Sequence, residues 1–225
     1  MPFQFRYASD IRTRFPRLRS GALLVRNIEA KADASTAISR LTAIADQRLA
    51  AANEGELPEI QAWRRAYSTM GLKPTQYRCA SEALLRRYRK EGLLPALHPL
   101  IDLCNAVSLA FAIPVAVFDT GQIAEPLAVQ LAQGDEIYET FSGEIEHPES
   151  GEVIFADASR RAHARRWTNR QSSWSAVRSD TTCALIVAEA LHETAEADVA
   201  DLMSVLGEAL TTTWPGCTVS KVEPQ

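Results

Sequence analysis

Pro114 divides the chain into two regimes of apolar patterning. Before it, apolar residues recur at helical spacing in four stretches, 35–52, 58–70, 81–90 and 97–111. After it, most apolar runs are short, as strands require: 115–118, 127–131, 152–155, 182–188 and 217–221, with one more helical stretch from Asp198 to about 210. Two further strands are expected at 3–7 and 21–28. Strands and helices do not alternate regularly, so the pattern predicts an α+β fold and not a doubly wound α/β sheet. At 225 residues, one large domain or two small interlocked ones fit. The reading divides them into an N-terminal strand and helix segment, 1–55, packed on a core, 56–225, with the alanine-rich stretch 50–55 as the candidate joint.

The helix ends are partly legible. Pro58 suits a first helical turn, Gly71 a helix stop, and Ser81 and Asp198 suit N-caps. The clearest helix, 97–111, carries the stripe Leu97, Leu100, Ile101, Cys104, Val107, Ser108 and Phe111. Asp102 and Asn105 lie three apart at the edge of that stripe, where a half-buried polar side chain must find a partner or shape a site.

Composition excludes several classes. Apolar residues make up 46% and charged residues 23%, which rules out a disordered chain or a rod. The longest apolar tract, 107–118, is about half of what a membrane span needs and is broken by Pro114. The opening MPFQFRYASDIRTRF has no apolar signal-peptide segment, so a cytoplasmic protein is expected. None of the four cysteines, Cys79, Cys104, Cys183 and Cys217, forms a C-x-x-C pair, and no metal or cofactor is expected. G-x-S-x-G, P-loop, G-x-G-x-x-G and H-E-x-x-H motifs are absent.

Net charge is −4, but its distribution is segregated. Residues 61–90 hold eight basic residues against Glu82, and 160–178 hold six arginines and no acid. Residues 119–157 hold ten acids and no Lys or Arg. Segregation of this kind builds a basic face on an acidic protein, or pairs its segments across the fold. The loop RRAHARRWTNR (160–170) stands out. Arginine forks suit phosphates, and Trp167 suits stacking on a base or packing against an arginine. The alternative is an arm paired with the acidic segment before it. Thr181 and Thr182 precede an apolar strand, where hydroxyls often face a cleft.

Together, Trp63–Arg64, Gly71–Lys73–Pro74, EALLRR, LIDLCN, IPVAVFD, SGEVIFAD and RRWTNR resemble the editing domain of the phenylalanyl-tRNA synthetase beta subunit, formed by its third and fourth domains. They resemble its free-standing relatives more closely, over residues 60–215. The resemblance implies layered β-sheets with covering helices and hydrolysis of a mischarged aminoacyl ester by a positioned water. It implies a pocket between the end of the long helix, the strand 114–119 and the loop before Thr181. Asp102, Asn105, Phe118, Asp119, Ser175, Val177 and Thr181 match the synthetase pattern. Ala116 stands where the synthetase has histidine, and RRWTNRQSS replaces a glycine-rich stretch carrying an acid. Tyrosine selectivity is therefore not carried over, and the aminoacylation machinery is absent.

The expected function is that of a trans-acting aminoacyl-tRNA deacylase. In it Asn105 and Thr181 position water or the α-amino group. Asp102, Asp119, Arg166, Trp167, Asn169, Arg170 and Thr182 bind substrate, and Arg64, Arg65, Arg86 and Arg87 meet tRNA phosphates. Two alternatives stand beside it. One is a non-catalytic module for tRNA ends, an amino acid or a metabolite. The other is an unrelated enzyme using Cys79 or the His98–Asp102 pair. The partner is tRNA, no membrane is involved, and oligomeric state is not legible.

Overall fold

The structure is a computed structural model and describes residues 3–225. In chain order it contains β1 (Phe5–Tyr7), α1 (Ser9–Arg14), β2 (Arg19–Arg26), α2 (Ser35–Ala51), α3 (Pro58–Thr69), α4 (Ala80–Glu91) and α5 (Pro99–Phe111). There follow β3 (Val115–Asp119), β4 (Leu127–Leu131), β5 (Tyr138–Glu139), β6 (Ile145–Glu146), β7 (Val153–Ala156), β8 (Ala162–Arg165), β9 (Arg170–Gln171), β10 (Cys183–Ala190), α6 (Ala195–Thr213) and β11 (Thr218–Lys221).

Two sheets organise these elements. One has the order β1-β4-β7-β8-β9, and the other β11-β2-β10-β3. A two-stranded ribbon joins β5 to β6. In the second sheet β10 is central and antiparallel to both neighbours, with Leu185 opposite Leu24 on one side and Phe118 on the other. Side chains alternate across it as strand geometry demands. Leu24, Phe118, Leu185 and Val187 belong to a core shared with the first sheet, α1, α3 and α4. Leu23, Val25, Val117 and Ile186 belong to a second core under α2, α5 and α6. The fold is therefore α+β and layered: helices, the four-stranded sheet, then the five-stranded sheet with its own covering helices. Burial on both faces explains why β10 reads as a nearly continuous apolar run.

Several local expectations shift. The long helix starts at Pro99 instead of 97, because His98 is its N-cap: His98 Nδ1 accepts the Leu100 N–H at 3.2 Å. Ser81 does not cap α4; Cys79 holds that position and Ser81 is buried in the first turn. Asp198 also lies inside its helix, accepting from Thr194 Oγ1 and His192 Nε2 at 2.6 and 2.7 Å. Residues 144–151, outside the expected strands, contain β6, and the basic loop is a hairpin, β8–β9. The hairpin was hidden because Arg165 is buried, so strand alternation is masked by a charge that ion pairs make tolerable. The stretch 50–55 leads into an Asn53–Glu56 capping box, and its buried Glu54 pairs with Arg86 and Arg89.

Candidate functional site

The turn between β8 and β9 has two consecutive residues in an uncommon backbone conformation. Arg166 and Trp167 both adopt left-handed φ, 46° and 59°, a conformation costing about 1–2 kcal/mol for a non-glycine residue. Packing and hydrogen bonds hold it. The Trp167 side chain is 0% exposed and meets Phe15 and Trp63 edge-on, with centroids 4.8 and 5.0 Å away. Its backbone N–H donates to Val153 O at 2.7 Å, and Arg166 N–H donates to Glu152 Oε1 at 2.9 Å. The Tyr67 hydroxyl donates to Arg166 O at 3.0 Å. Trp167 is thus a core residue and has no face free to stack on a base.

Holding the turn inward opens a pocket of about 190 Å³ between β3, β10, the hairpin and the start of α4. Its floor is buried: Phe118, Phe155, Trp167, Val187 and Glu189. Its rim is half-exposed: Ala80, Ala116, Thr168, Asn169, Arg170 and Gln171. The rim is anchored, since Asn169 Nδ2 donates to Arg78 O at 2.8 Å and Gln171 Nε2 to Val117 O at 2.6 Å. Glu189 was not anticipated. The signal was present as a single acid inside the apolar run of β10. Burial pushes its carboxyl up to about 7, against the opposing pull of hydrogen bonds from Trp167 and Tyr7.

The residues singled out in the sequence fall into three places. Asn169 and Arg170 line this pocket, with Trp167 beneath them. Asp102 and Asn105 line a different pocket of about 300 Å³, between α2, α5 and the α4–α5 loop. Asp102 there accepts the Leu97 N–H at 3.0 Å. Thr181 is buried and donates to Asp119 Oδ2 at 2.7 Å, while Asp119 Oδ1 accepts from Gly121 N–H at 2.9 Å. Thr182 is exposed, and its carbonyl accepts from Ile28 N–H at 3.3 Å. Asn105 lines the pocket under α2, and Thr181 lines neither of these two pockets. Arg166 lines neither of these pockets; its guanidinium lies 4.9 Å from the Tyr77 ring centroid.

Charge pairing is extensive. Arg165 reaches Glu146 at 2.5 Å and Glu152 at 2.9 Å, Arg170 reaches Glu146 at 2.9 Å, and Arg160 pairs with Asp135. The arginine loop therefore does pair with the acidic segment, as the alternative reading held. On the helical side, the buried Glu82 takes Arg64 through both Nε and Nη2, at 3.1 and 2.7 Å. Arg78 and Arg86 approach Glu82 at 3.4 and 3.9 Å. Arg87 pairs with Glu91 at 3.0 Å. Arg65 and Lys90 have no ion-pair partner among the described residues, and this face keeps an excess of positive charge.

Three other groupings do not serve this pocket. Ser175, His163 and Asp157 form a buried row, with Ser175 Oγ to His163 Nδ1 at 2.9 Å and His163 Nε2 to Asp157 Oδ2 at 3.2 Å. Asp157 also accepts three backbone N–H groups, from Ala124, Ser159 and Arg161. Burial raises its carboxyl, but the His163 and backbone hydrogen bonds outweigh that and hold it below the usual range. Sealed from the pocket, the row ties loops together. Cys79 is buried and its thiol is pushed up to about 11 by that burial, so the cysteine reading fails. Glu59, His192 and Asp198 offer atoms within 4.8 Å of one another, but Arg48 already pairs with Glu59 at 2.7 Å and supplies the positive charge there.

The architecture is that of a layered α+β domain with a small, mostly apolar pocket beside a basic helix. A family model described as the B3/4 domain matches residues 62–206, and the chain belongs to that family. Among solved structures, it is similar to an N-terminal fragment of the phenylalanyl-tRNA synthetase beta-subunit from Pyrococcus horikoshii. The two share 10% identity with a TM-score of 0.52 over 100% of this chain. This chain spans 57% of the length of that one. No curated protein matches. Among the described residues, no helix is long and apolar enough to cross a membrane.

Proposed function

We propose that this protein binds the aminoacylated end of a tRNA and hydrolyses the ester of a mischarged aminoacyl group, in the cytoplasm. The observation that carries the reading is the continuity between pocket and basic helix. Ala80 is both a rim residue and the first residue of α4. From there α4 runs for 12 residues, about 18 Å, with Arg86, Arg87, Arg89 and Lys90 exposed along it. An aminoacyl group seated in the pocket leaves the nucleic-acid backbone directed along that helix. Family membership and the fold shared with a synthetase beta-subunit fragment support the same reading.

In this reading Arg65, Arg86, Arg87 and Lys90 meet phosphates, while Arg64 is spent on Glu82. Asn169, whose side-chain oxygen has no hydrogen-bond partner among the described residues, and Arg170 hold the terminal nucleotide at the rim. Arg166, on the outside of the same turn, adds a further cation. The ester is already activated, so a positioned water needs only orientation and hydrogen-bond stabilisation of the developing oxyanion. No residue of the protein acts as nucleophile. Asn105 and Thr181 lie outside the pocket and receive no role in positioning water.

The test is release of amino acid from a panel of cognate and mischarged aminoacyl-tRNAs at low salt, with Asn169→Ala and Arg170→Ala run beside the wild type. Selective release of one amino acid, slowed in both variants, supports the proposal. Salt-dependent tRNA binding with no release replaces it with a binding module. The Ala116 side chain in the pocket rim, which offers no hydrogen bond to a water, is the observation that favours that second reading.

A further inference from the structure

The ester chemistry above leaves one group unused: the carboxyl on the pocket floor. Glu189 is 2% exposed. Its Oε1 accepts two hydrogen bonds, from Trp167 Nε1 at 2.9 Å and from the Tyr7 hydroxyl at 2.7 Å. Both donors are locked in place. Trp167 is wedged between Phe15 and Trp63, and Tyr7 lies in β1, hydrogen-bonded to β4. The carboxyl therefore has one orientation. Its second oxygen, Oε2, has no hydrogen-bond partner among the described residues, and Glu189 lines the pocket. The rest of the floor, Phe118, Phe155 and Val187, is hydrocarbon. Arg12, whose charge acts on Glu189, lies over the Tyr7 ring, 4.5 Å from its centroid, and does not line the pocket.

An ordered carboxyl oxygen at the end of an apolar pocket is a discriminating element. A ligand that reaches the floor displaces whatever water serves Oε2. If its inner end donates a hydrogen bond, the lost bond is replaced. If its inner end is hydrocarbon, the oxygen is left buried and unpaired, which is the costly side of the hydrogen-bond balance. We infer that Glu189 selects ligands whose inner end carries a hydroxyl or an ammonium group, received by Oε2, and that hydrocarbon-ended analogues of the same size are rejected.

The hydroxyl and the ammonium are two sources of the same donor chemistry. Because both protein donors occupy Oε1, a proton on this carboxyl resides on Oε2. A hydroxyl, donor and acceptor at once, fits either state of the carboxyl. An ammonium fits only the ionised one. The inference uses the pocket identified above as the ligand site but does not need the ligand to be esterified to tRNA.

Amino-acid amides test this directly, because they keep the α-amino group and the shape of an aminoacyl group without a cleavable ester. Three near-isosteric pairs are titrated calorimetrically: threoninamide with valinamide, tyrosinamide with phenylalaninamide, and lysinamide with norleucinamide. The expected result is a preference of about tenfold or more for the donor-bearing member of at least one pair. Glu189→Gln keeps a preference for a hydroxyl and abolishes one for an ammonium. Glu189→Met abolishes both, with near-ultraviolet circular dichroism checking that Trp167 is still packed. Equal binding within every pair, or no binding by any amide, overturns the inference. So does a preference that survives unchanged in folded Glu189→Met. A preference that holds while no tRNA is bound or deacylated leaves the inference standing and overturns the proposed function instead.

Discussion

The indole N–H of Trp167 donates to the carboxyl of Glu189 across 2.9 Å, tying the β8–β9 turn to the end of the central strand β10. The bond couples a left-handed turn to a carboxyl that burial pushes up to about 7. Removing Trp167 therefore does more than open a cavity. Trp167→Ala loses aromatic packing against Phe15 and Trp63 and leaves Glu189 with Tyr7 alone. Truncation of a buried aromatic costs about 3–5 kcal/mol, and the orphaned bond places this variant at the upper end. Chemical denaturation measures it. A loss under about 1 kcal/mol would mean the turn does not need its anchor.

The Glu189 carboxyl makes stability depend on pH with a definite sign. Its folded value is about 7 against 4.5 for the free side chain, so the folded state binds its proton more tightly than the unfolded chain. The stabilisation is complete below pH 4.5 and is lost as pH rises through 7. A shift of that size amounts to roughly 3 kcal/mol between those limits. Glu146, Glu152, Asp157 and Asp198 are shifted the other way, so their contributions are lost on acidification, below about pH 4.5. Glu189→Gln should flatten the fall in stability between pH 5 and 8 while leaving the acid limb intact. Urea titrations at pH 5, 6.5 and 8 decide it; parallel curves for the variant and wild type refute the assignment.

How much of this was legible depended on whether a feature was local. The helical stripe of α5, the Pro58 start of α3 and the run of β10 were readable because each depends on its own spacing. The partnership of β2 with β10 was not, since Leu24 and Leu185 meet across most of the chain. The arginines of 160–170 suit phosphates by type, yet Arg165 is buried against Glu146 and Glu152, partners that lie 19 and 13 residues away. Trp167 looked exposed because it lies among arginines, and only a left-handed turn drives it inward. Asn105 and Thr181 both match the family pattern yet lie in different places, Asn105 in the pocket under α2 and Thr181 against Asp119. Glu189 carried a visible signal, an acid in a buried strand, but nothing in the sequence says which hydroxyl and indole will meet it.

The strain at Arg166 can be separated from its charge. Arg166→Gly removes a left-handed non-glycine residue and should stabilise the fold by about 0.5–1 kcal/mol, less whatever the contact with Tyr77 contributes. The same change removes a cation from the turn and should weaken tRNA binding. Stability rising while affinity falls is the expected outcome. A variant that loses stability would show that the Arg166 side chain, and not only its backbone hydrogen bonds, holds the turn.

The arginines of the helical face should divide into two classes, set by Glu82. Arg64 clamps a fully buried carboxylate, so Arg64→Ala leaves that charge poorly paired and should cost about 2–3 kcal/mol of stability. Arg87 and Lys90 are exposed, and among the described residues Arg87 has only the exposed Glu91 as ion-pair partner. Their alanine variants should leave stability within about 0.5 kcal/mol of wild type. Each should lower the slope of log affinity for tRNA against log salt by about 0.7–0.9, one phosphate contact apiece. Fluorescence anisotropy between 50 and 300 mM salt measures the slopes, and thermal denaturation the stabilities. Unchanged slopes for both exposed variants would move the nucleic acid off α4, and with it the argument that the pocket and the helix act on one ligand.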